Sequence, residues 1–234
     1  MRIMIIRHAE PDYDNNTITQ QGHLEAKALA RRLRLEGVDR IYSSPLGRAL
    51  HTMQYTAEAT GIKPVIEPWM TELQGWYITE PKGTDRVAWN VDGEWVRANR
   101  PLPSSEDWHQ RHPFDKPDFY KNYEMLKTNA DRFLLAHGYR REDGKYEIIQ
   151  SNQERIAIFC HHGFGLAWLA HLLELPLSLV WTGFWLAPSS VTTILFEERT
   201  VRWAVPRCLG LGDVSHIYEG KLPISSSGLQ ANTD

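Results

Sequence analysis

The chain has 234 residues, enough for one domain with a sizeable core, and its 42% hydrophobic and 24% charged residues are those of an ordinary globular protein. A net charge of −3 excludes bulk electrostatic attraction to nucleic acid or to an anionic membrane, so any anion site has to be built locally. Two cysteines, Cys160 and Cys208, are too few for a disulfide framework and fit a reducing compartment. The opening apolar run is too short for a signal peptide and is broken by Arg7, and no run approaches the roughly 18 apolar residues of a membrane-spanning helix. The expectation is a soluble, cytoplasmic protein with no nucleic-acid or membrane partner.

Arg2–Ile6 is an apolar run suited to a strand buried on both faces. Thr19 can cap a helix that runs to Glu36, with Ala26, Leu29, Ala30 and Leu33 on one apolar face, and Gly37 stops it. Val38–Tyr42 reads as a second strand. Ser44-Pro45 places a capping residue before a proline fit for a first helical turn, and that helix runs to Thr60 before Gly61. Pro64–Ile66 is a short strand. From Trp76 to Pro117 periodicity fades into a stretch rich in tryptophan, proline and charge, too aromatic for a disordered linker and read as an ordered insertion or lid. Phe119–Ala136 is helical again, stopped by Gly138. Arg155–Cys160 is an apolar strand, followed by HHGFG and an apolar helix to Leu175, ended by Pro176. Val191–Phe196 and Val201–Val205 are two strands joined by a turn, and the tail from Ile224 is expected to fray. Alternating strands and helices predict an α/β fold: a three-layer α/β/α sandwich with a mostly parallel central sheet, an antiparallel edge and an inserted cap, all within one domain spanning 1–234.

Three segments share one layout. The first strand ends on Arg7-His8, the second leads into a helix carrying Arg48, and the third ends on His161-His162-Gly163. Open α/β sheets bind ligands beyond the carboxyl ends of their strands, so two arginines and two histidines are expected to converge there. Guanidinium groups match phosphate oxygens in a bidentate way, and a phosphate monoester carries nearly two negative charges at neutral pH. His109 and His112 (HQRH) have a spacing that could suit a metal but lack further clear ligands, and Gly163-Phe-Gly165 lacks the rest of a dinucleotide fingerprint.

On these residues the chain resembles the histidine phosphatase superfamily, in its phosphoglycerate-mutase-like branch. RHAEP is similar to that family's opening Arg-His-Gly-Glu motif, with Ala9 in place of glycine. ITQQGHLEAKALARRL resembles the segment that follows, YSSPLGRALHTM the motif carrying the second arginine, IAIFCHHGFG the strand and His-Gly of the second histidine, and GDVSHI the closing segment. The resemblance implies that His8 is a nucleophile that becomes phosphohistidine, and that Arg7, Arg48 and His162 line the phosphate pocket. His161 stands where the family has a small residue. A carboxylic acid after the second helix would protonate the leaving oxygen: Glu72, in MTELQGWY, is the candidate, with Glu67 and Glu80 in reserve because the family often spaces the acid further from its glycine and tryptophan.

The implied activity is hydrolysis of a small phosphomonoester, without metal or cofactor because the arginines supply the charge. A mutase is the alternative, disfavoured because Thr17-Ile18-Thr19 follows the first motif almost directly, where mutases carry an extra Ser-Gly-Trp segment. The secreted acid phosphatase and phytase branch is disfavoured by RHAEPDYD. A non-catalytic phospholigand-binding protein is the alternative from another class. Trp76, Trp89, Trp95 and Trp108 either form a small core or include a residue facing the substrate. The substrate and the oligomeric state are not readable.

Overall fold

The computed structural model describes residues 1–80 and 83–229. In chain order its elements are β1 (Arg2–Arg7), a ribbon of β2 (Pro11–Asp12) and β3 (Thr17–Ile18), α1 (Gln20–Glu36), β4 (Arg40–Ser43), α2 (Gly47–Thr60) and β5 (Val65–Ile66). A second ribbon of β6 (Tyr77–Thr79) and β7 (Asp85–Val87) precedes α3 (Gly93–Val96) and α4 (Pro117–Ala136). Then come β8 (Tyr139–Glu142), β9 (Lys145–Ile148), β10 (Arg155–Cys160), α5 (His162–Leu173), α6 (Leu177–Gly183), β11 (Val191–Glu198), β12 (Trp203–Asp213) and α7 (Ser215–Glu219).

The main sheet has eight strands in the order β5-β4-β10-β1-β11-β12-β9-β8. Its first four strands are parallel, and the other four extend it antiparallel. The expected two-stranded antiparallel edge is therefore longer than read. β12 runs to Asp213, well past Val205, and Val201 lies in the exposed turn before it. The hairpin β8–β9 closes the edge through a two-residue Asp143-Gly144 loop in which Asp143 takes φ 54°.

Strand periodicity sorts the core into two layers. Ile3 and Ile5 of β1, with Ile156, Ile158 and Cys160 of β10, face a core shared with α4, α5 and α6. Met4 and Ile6, with Ala157 and Phe159, face the other way onto Leu29 and Leu33 of α1 and Met53 of α2. Strands covered on both sides must be apolar throughout, which is why these two read as continuous apolar runs.

The helix ends follow the sequence closely at α1, where Thr19 Oγ1 accepts the Gly22 N–H at 3.0 Å and Gly37 leaves the helix at φ 81°. The start of α2 differs from expectation: Leu46 flanks the helix, and Ser44 makes no helix cap. The helix expected to run to Leu175 stops at Leu173, with Glu174 left-handed at φ 55°, and α6 starts afresh after Pro176. Among the described residues the Trp-rich stretch forms no separate core. Trp76 stacks on Phe119 at 4.9 Å, and Trp108 meets Trp181 edge-on, so both join the core over α4 and α6. Among the described residues no helix is long and apolar enough to cross a membrane.

Candidate active site

Register brings the site together. β1 pairs with β10 with Arg7 opposite Cys160, and β10 pairs with β4 with Phe159 opposite Ser43, so three neighbouring parallel strands end nearly level. The residues just beyond those ends are His8, His161-His162 and Ser44. The His8 N–H donates to Cys160 O at 2.9 Å, and the His8 carbonyl accepts the Ser189 N–H at 3.1 Å, which pins the residue from both sides.

The two motif histidines are held in opposite tautomers. His8 Nδ1 lies 2.8 Å from the Ala9 carbonyl, which can only accept, so Nδ1 carries the proton and Nε2 keeps its lone pair. His162 Nδ1 lies 3.3 Å from the Leu186 N–H, which can only donate, so here Nδ1 accepts and the proton sits on Nε2. Burial, then Arg7, His161 and Arg48, push the His8 imidazolium well below the ordinary histidine range. Burial and Arg7 bring His162 down to about 3. Both rings are therefore neutral at physiological pH, one offering a nucleophilic lone pair and the other an N–H donor.

The arginines close around them. Arg7 is 2% exposed and donates through Nη1 to Leu186 O at 2.7 Å, so Leu186 holds Arg7 with its carbonyl and His162 with its N–H. Arg48, in the first turn of α2, donates to Asn16 Oδ1 at 3.3 Å and lies over the ring of Tyr13, which also meets His8 edge-on and lies near Arg7. Among the described residues, the Nε atoms of Arg7 and Arg48 are both buried without an acceptor in the chain. Buried donors are nearly always paired, so two such groups converging on two neutral histidines point to an anionic ligand.

Glu72 reaches the same place from the loop after β5. Its Oε1 accepts the N–H groups of Leu73 at 3.0 Å and Phe164 at 2.8 Å, and its Oε2 accepts that of Gly163 at 3.1 Å. The carboxyl thus caps α5 directly beside His162 and has Arg48 and Arg7 as its nearby charges. Burial pushes its pKa up against the opposing pull of those N–H groups and Arg48. Of the reserve carboxylates, Glu80 is paired with Arg86 at 2.8 Å beside the β6–β7 ribbon, and Glu67 follows β5, its N–H donating to Ser43 O at 2.9 Å.

Trp89 covers this corner. A Cβ on Gly163 would come within 2.6 Å of the Trp89 ring, so only glycine permits the approach. A cavity of about 310 Å³ opens beside His162, between Trp89, Asn90 and Asp92 on one side and Trp181 and Trp185 on the other. Trp95 lies apart, edge-on to His112. His109 stacks on Tyr120 at 4.2 Å while His112 pairs with Asp115, so the HQRH histidines face different partners. The described part of the tail does not stand clear of the fold. Gly228 sits against the Arg7 guanidinium and Leu229 lines the cavity; residues 230–234, the rest of the stretch expected to fray, lie outside the described residues.

The structure therefore brings Arg7, His8, Arg48, Glu72 and His162 close enough for their charges to act on one another around the ends of β1 and β10. Sequence reasoning missed Tyr13 and Asn16, which lie just after RHAEP, and Leu186, which acts through backbone atoms that no side chain advertises.

The family model of the histidine phosphatase superfamily (branch 1) matches residues 3–207. A protein of Yersinia enterocolitica named probable phosphoglycerate mutase GpmB is 29% identical over 82 residues, which are 31% of this chain and 38% of that one; the match takes in little over a third of the relative's length. Among solved structures, the phosphoserine phosphatase of Entamoeba histolytica in complex with 3-phosphoglyceric acid superposes with a TM-score of 0.61 at 17% identity, covering 92% of this chain and 98% of that one. The mycobacterial glucosyl-3-phosphoglycerate phosphatase gives a TM-score of 0.60 at 17% identity, with 90% and 98% covered. At these identities the structural likeness concerns the fold, and the family follows from the match along most of the sequence: the chain belongs to the histidine phosphatase superfamily.

Proposed function

We propose that the chain is a metal-independent phosphatase acting on a small phosphomonoester through a phosphohistidine at His8. The observation that carries this reading is the pair of opposed histidine tautomers with two arginines nearby whose Nε–H groups are buried without a partner among the described residues. His8 Nε2 attacks phosphorus and the P–O bond to the leaving alcohol breaks. The Ala9 carbonyl, already accepting from Nδ1–H, stabilises the charge that develops on the ring. Arg7, Arg48 and the Nε2–H of His162 hold the phosphoryl oxygens, where charge accumulates in the transition state. Glu72, its pKa raised by burial, gives its proton to the departing oxygen. As carboxylate it then takes a proton from water, whose oxygen attacks phosphorus; the P–N bond breaks, phosphate leaves and His8 returns to its neutral form.

The leaving alcohol would lie in the cavity beside His162, so the stretch 76–117 serves as the lid that selects substrates, with Trp89 its contact residue. The structural relatives named for phosphoserine and glucosyl-3-phosphoglycerate set the size of substrate to try first. The relatives named as probable mutases favour a second reading, transfer of the phosphoryl group between two hydroxyls of one substrate. A panel of phosphometabolites, assayed for inorganic phosphate and for isomerised product with chelator present, separates the two. Hydrolysis in the parent and none in His8→Ala supports the phosphatase; isomerisation without phosphate release supports the mutase; turnover by His8→Ala removes both.

A further inference from the structure

His161 is unexplained by that mechanism. It is fully buried, and its ring centroid lies 5.3 Å from that of His8. Its Nε2 is 2.7 Å from Ser44 Oγ, while its Nδ1 has no partner among the described residues. Ser44 Oγ in turn accepts the N–H of Leu46, the residue that flanks the start of α2, two positions before Arg48. The three residues are lateral neighbours for a topological reason: β1, β10 and β4 are adjacent and parallel, and His8, His161 and Ser44 are the first residues past their ends.

We infer that His161 is a positioning residue, a strut that fixes the distance between the nucleophile His8 and the arginine-bearing start of α2 through Ser44. The inference rests on the phosphohistidine reading above. A small residue at 161 leaves the His8 ring and the Ser44-Leu46 turn to be held independently. An imidazole fills the gap, packs on one and bonds the other. It does so without adding charge, because burial together with Arg48 and Arg7 keeps its imidazolium form far from populated. Phosphoryl transfer depends on an in-line approach, and displacements of the order of 1 Å at a reacting group cost about 100-fold in rate. The strut therefore acts on the chemical step. Ground-state phosphate binding, shared by Arg7, Arg48 and His162, depends on it less, because Leu186 holds Arg7 and His162 independently of Ser44.

The test uses the chain in rapid-quench experiments, single turnover giving the phosphorylation rate constant and the burst under excess substrate counting the folded, competent sites. His161→Phe keeps the ring and loses the bond to Ser44; Ser44→Ala loses the bond and keeps the ring; His161→Gln can restore an acceptor near Ser44. The expected result is a fall of about 10- to 100-fold in the phosphorylation rate constant for His161→Phe and for Ser44→Ala. The double variant should be no slower than His161→Phe alone, because both changes cut the same link. His161→Gln should recover most of the rate, and the substrate concentration that half-saturates the phosphorylation step should move far less than the rate constant in all of them. Losses that multiply in the double variant, or a lowered melting temperature with an unchanged rate constant per competent site, would overturn the strut and leave the phosphohistidine reading intact. A parent protein that forms no phosphohistidine would overturn both.

Discussion

Replacing Glu72 by glutamine separates two jobs that the structure assigns to one carboxyl. The first is structural. Oε1 accepts from Leu73 and Phe164, and Oε2 accepts from Gly163. A glutamine oxygen can keep the first pair, but its amide NH2 then faces the Gly163 N–H, donor against donor. A buried donor left unsatisfied costs about 1–3 kcal/mol. For a chain of this length each kcal/mol lowers the melting temperature by roughly 2–4 °C, so the variant should melt several degrees below the parent and still be folded at assay temperature. The second job is chemical. Glutamine cannot deliver a proton, so esters of alkyl alcohols, whose alkoxides are poor leaving groups, should lose roughly 10²–10⁴-fold in the phosphorylation step. p-Nitrophenyl phosphate, whose leaving group barely needs a proton, should lose far less in the same step. The assay is single-turnover quench with both substrates, because Glu72 would also act as base in dephosphorylation and steady state would mix the two roles. The structural defect cannot depend on the leaving group. Equal losses on both substrates would therefore refute the acid role and leave Glu72 a helix cap, with Glu67 and Glu80 next in line.

Gly163→Ala should place its Cβ 2.6 Å from Trp89 and 3.0 Å from Glu72 Oε1, forcing one of them aside; a fall in kcat of about 10-fold or more is expected, and unchanged kinetics would contradict the close packing. Trp89→Ala should reorder natural substrates while changing turnover of a small aryl phosphate little; uniform loss with a lower melting temperature would make Trp89 a packing residue. Because His8 is depressed below the ordinary value of 6.5, its neutral form persists as pH falls through that value, so phosphorylation of p-nitrophenyl phosphate should show no midpoint there. Glu72, raised above 4.5, loses its proton as pH rises, so alkyl phosphates should turn over faster in mildly acidic than in alkaline buffer, as a pH–rate profile of each would show. Glu25 is 1% exposed, its Oε1 is unpaired among the described residues, and burial raises its pKa to about 7 from 4.5. A raised carboxyl costs stability as pH climbs from the unfolded value through the folded one, here about 3 kcal/mol once both are passed. Glu25→Gln should therefore raise the melting temperature more at pH 8 than at pH 5, and an equal shift at both would refute the burial account.

The parts of the fold that were readable are those whose residues have a single way to be buried. β1 and β10, covered on both faces, had to be apolar throughout, and α1 showed its cap at Thr19 and its stop at Gly37. The β8–β9 hairpin carries little strand signal because only Tyr139 and Tyr146 are fully buried among its mostly charged residues, although Asp143-Gly144 is a turn signal. Ser44-Pro45 has the pattern of a helix cap, but His161, distant in sequence, takes that hydroxyl instead. Arg7, His8, Arg48 and His162 were visible as motifs at strand ends. What fixes their tautomers and orientation was not, since the Ala9 carbonyl and both peptide groups of Leu186 are backbone atoms that any residue supplies. Tail contact with Arg7 was equally hidden, because Gly228 is placed there by long-range folding and by no local pattern.

The central claim is that His8 Nε2 carries the phosphoryl group. Mixing the parent chain with radiolabelled substrate for milliseconds, quenching, and mapping the labelled peptide tests it directly. The account predicts one equivalent of acid-labile, base-stable phosphate on the peptide containing His8, forming at least as fast as turnover and absent from His8→Ala. Label on a serine, an acid-stable adduct, or unimpaired labelling of His8→Ala would contradict it.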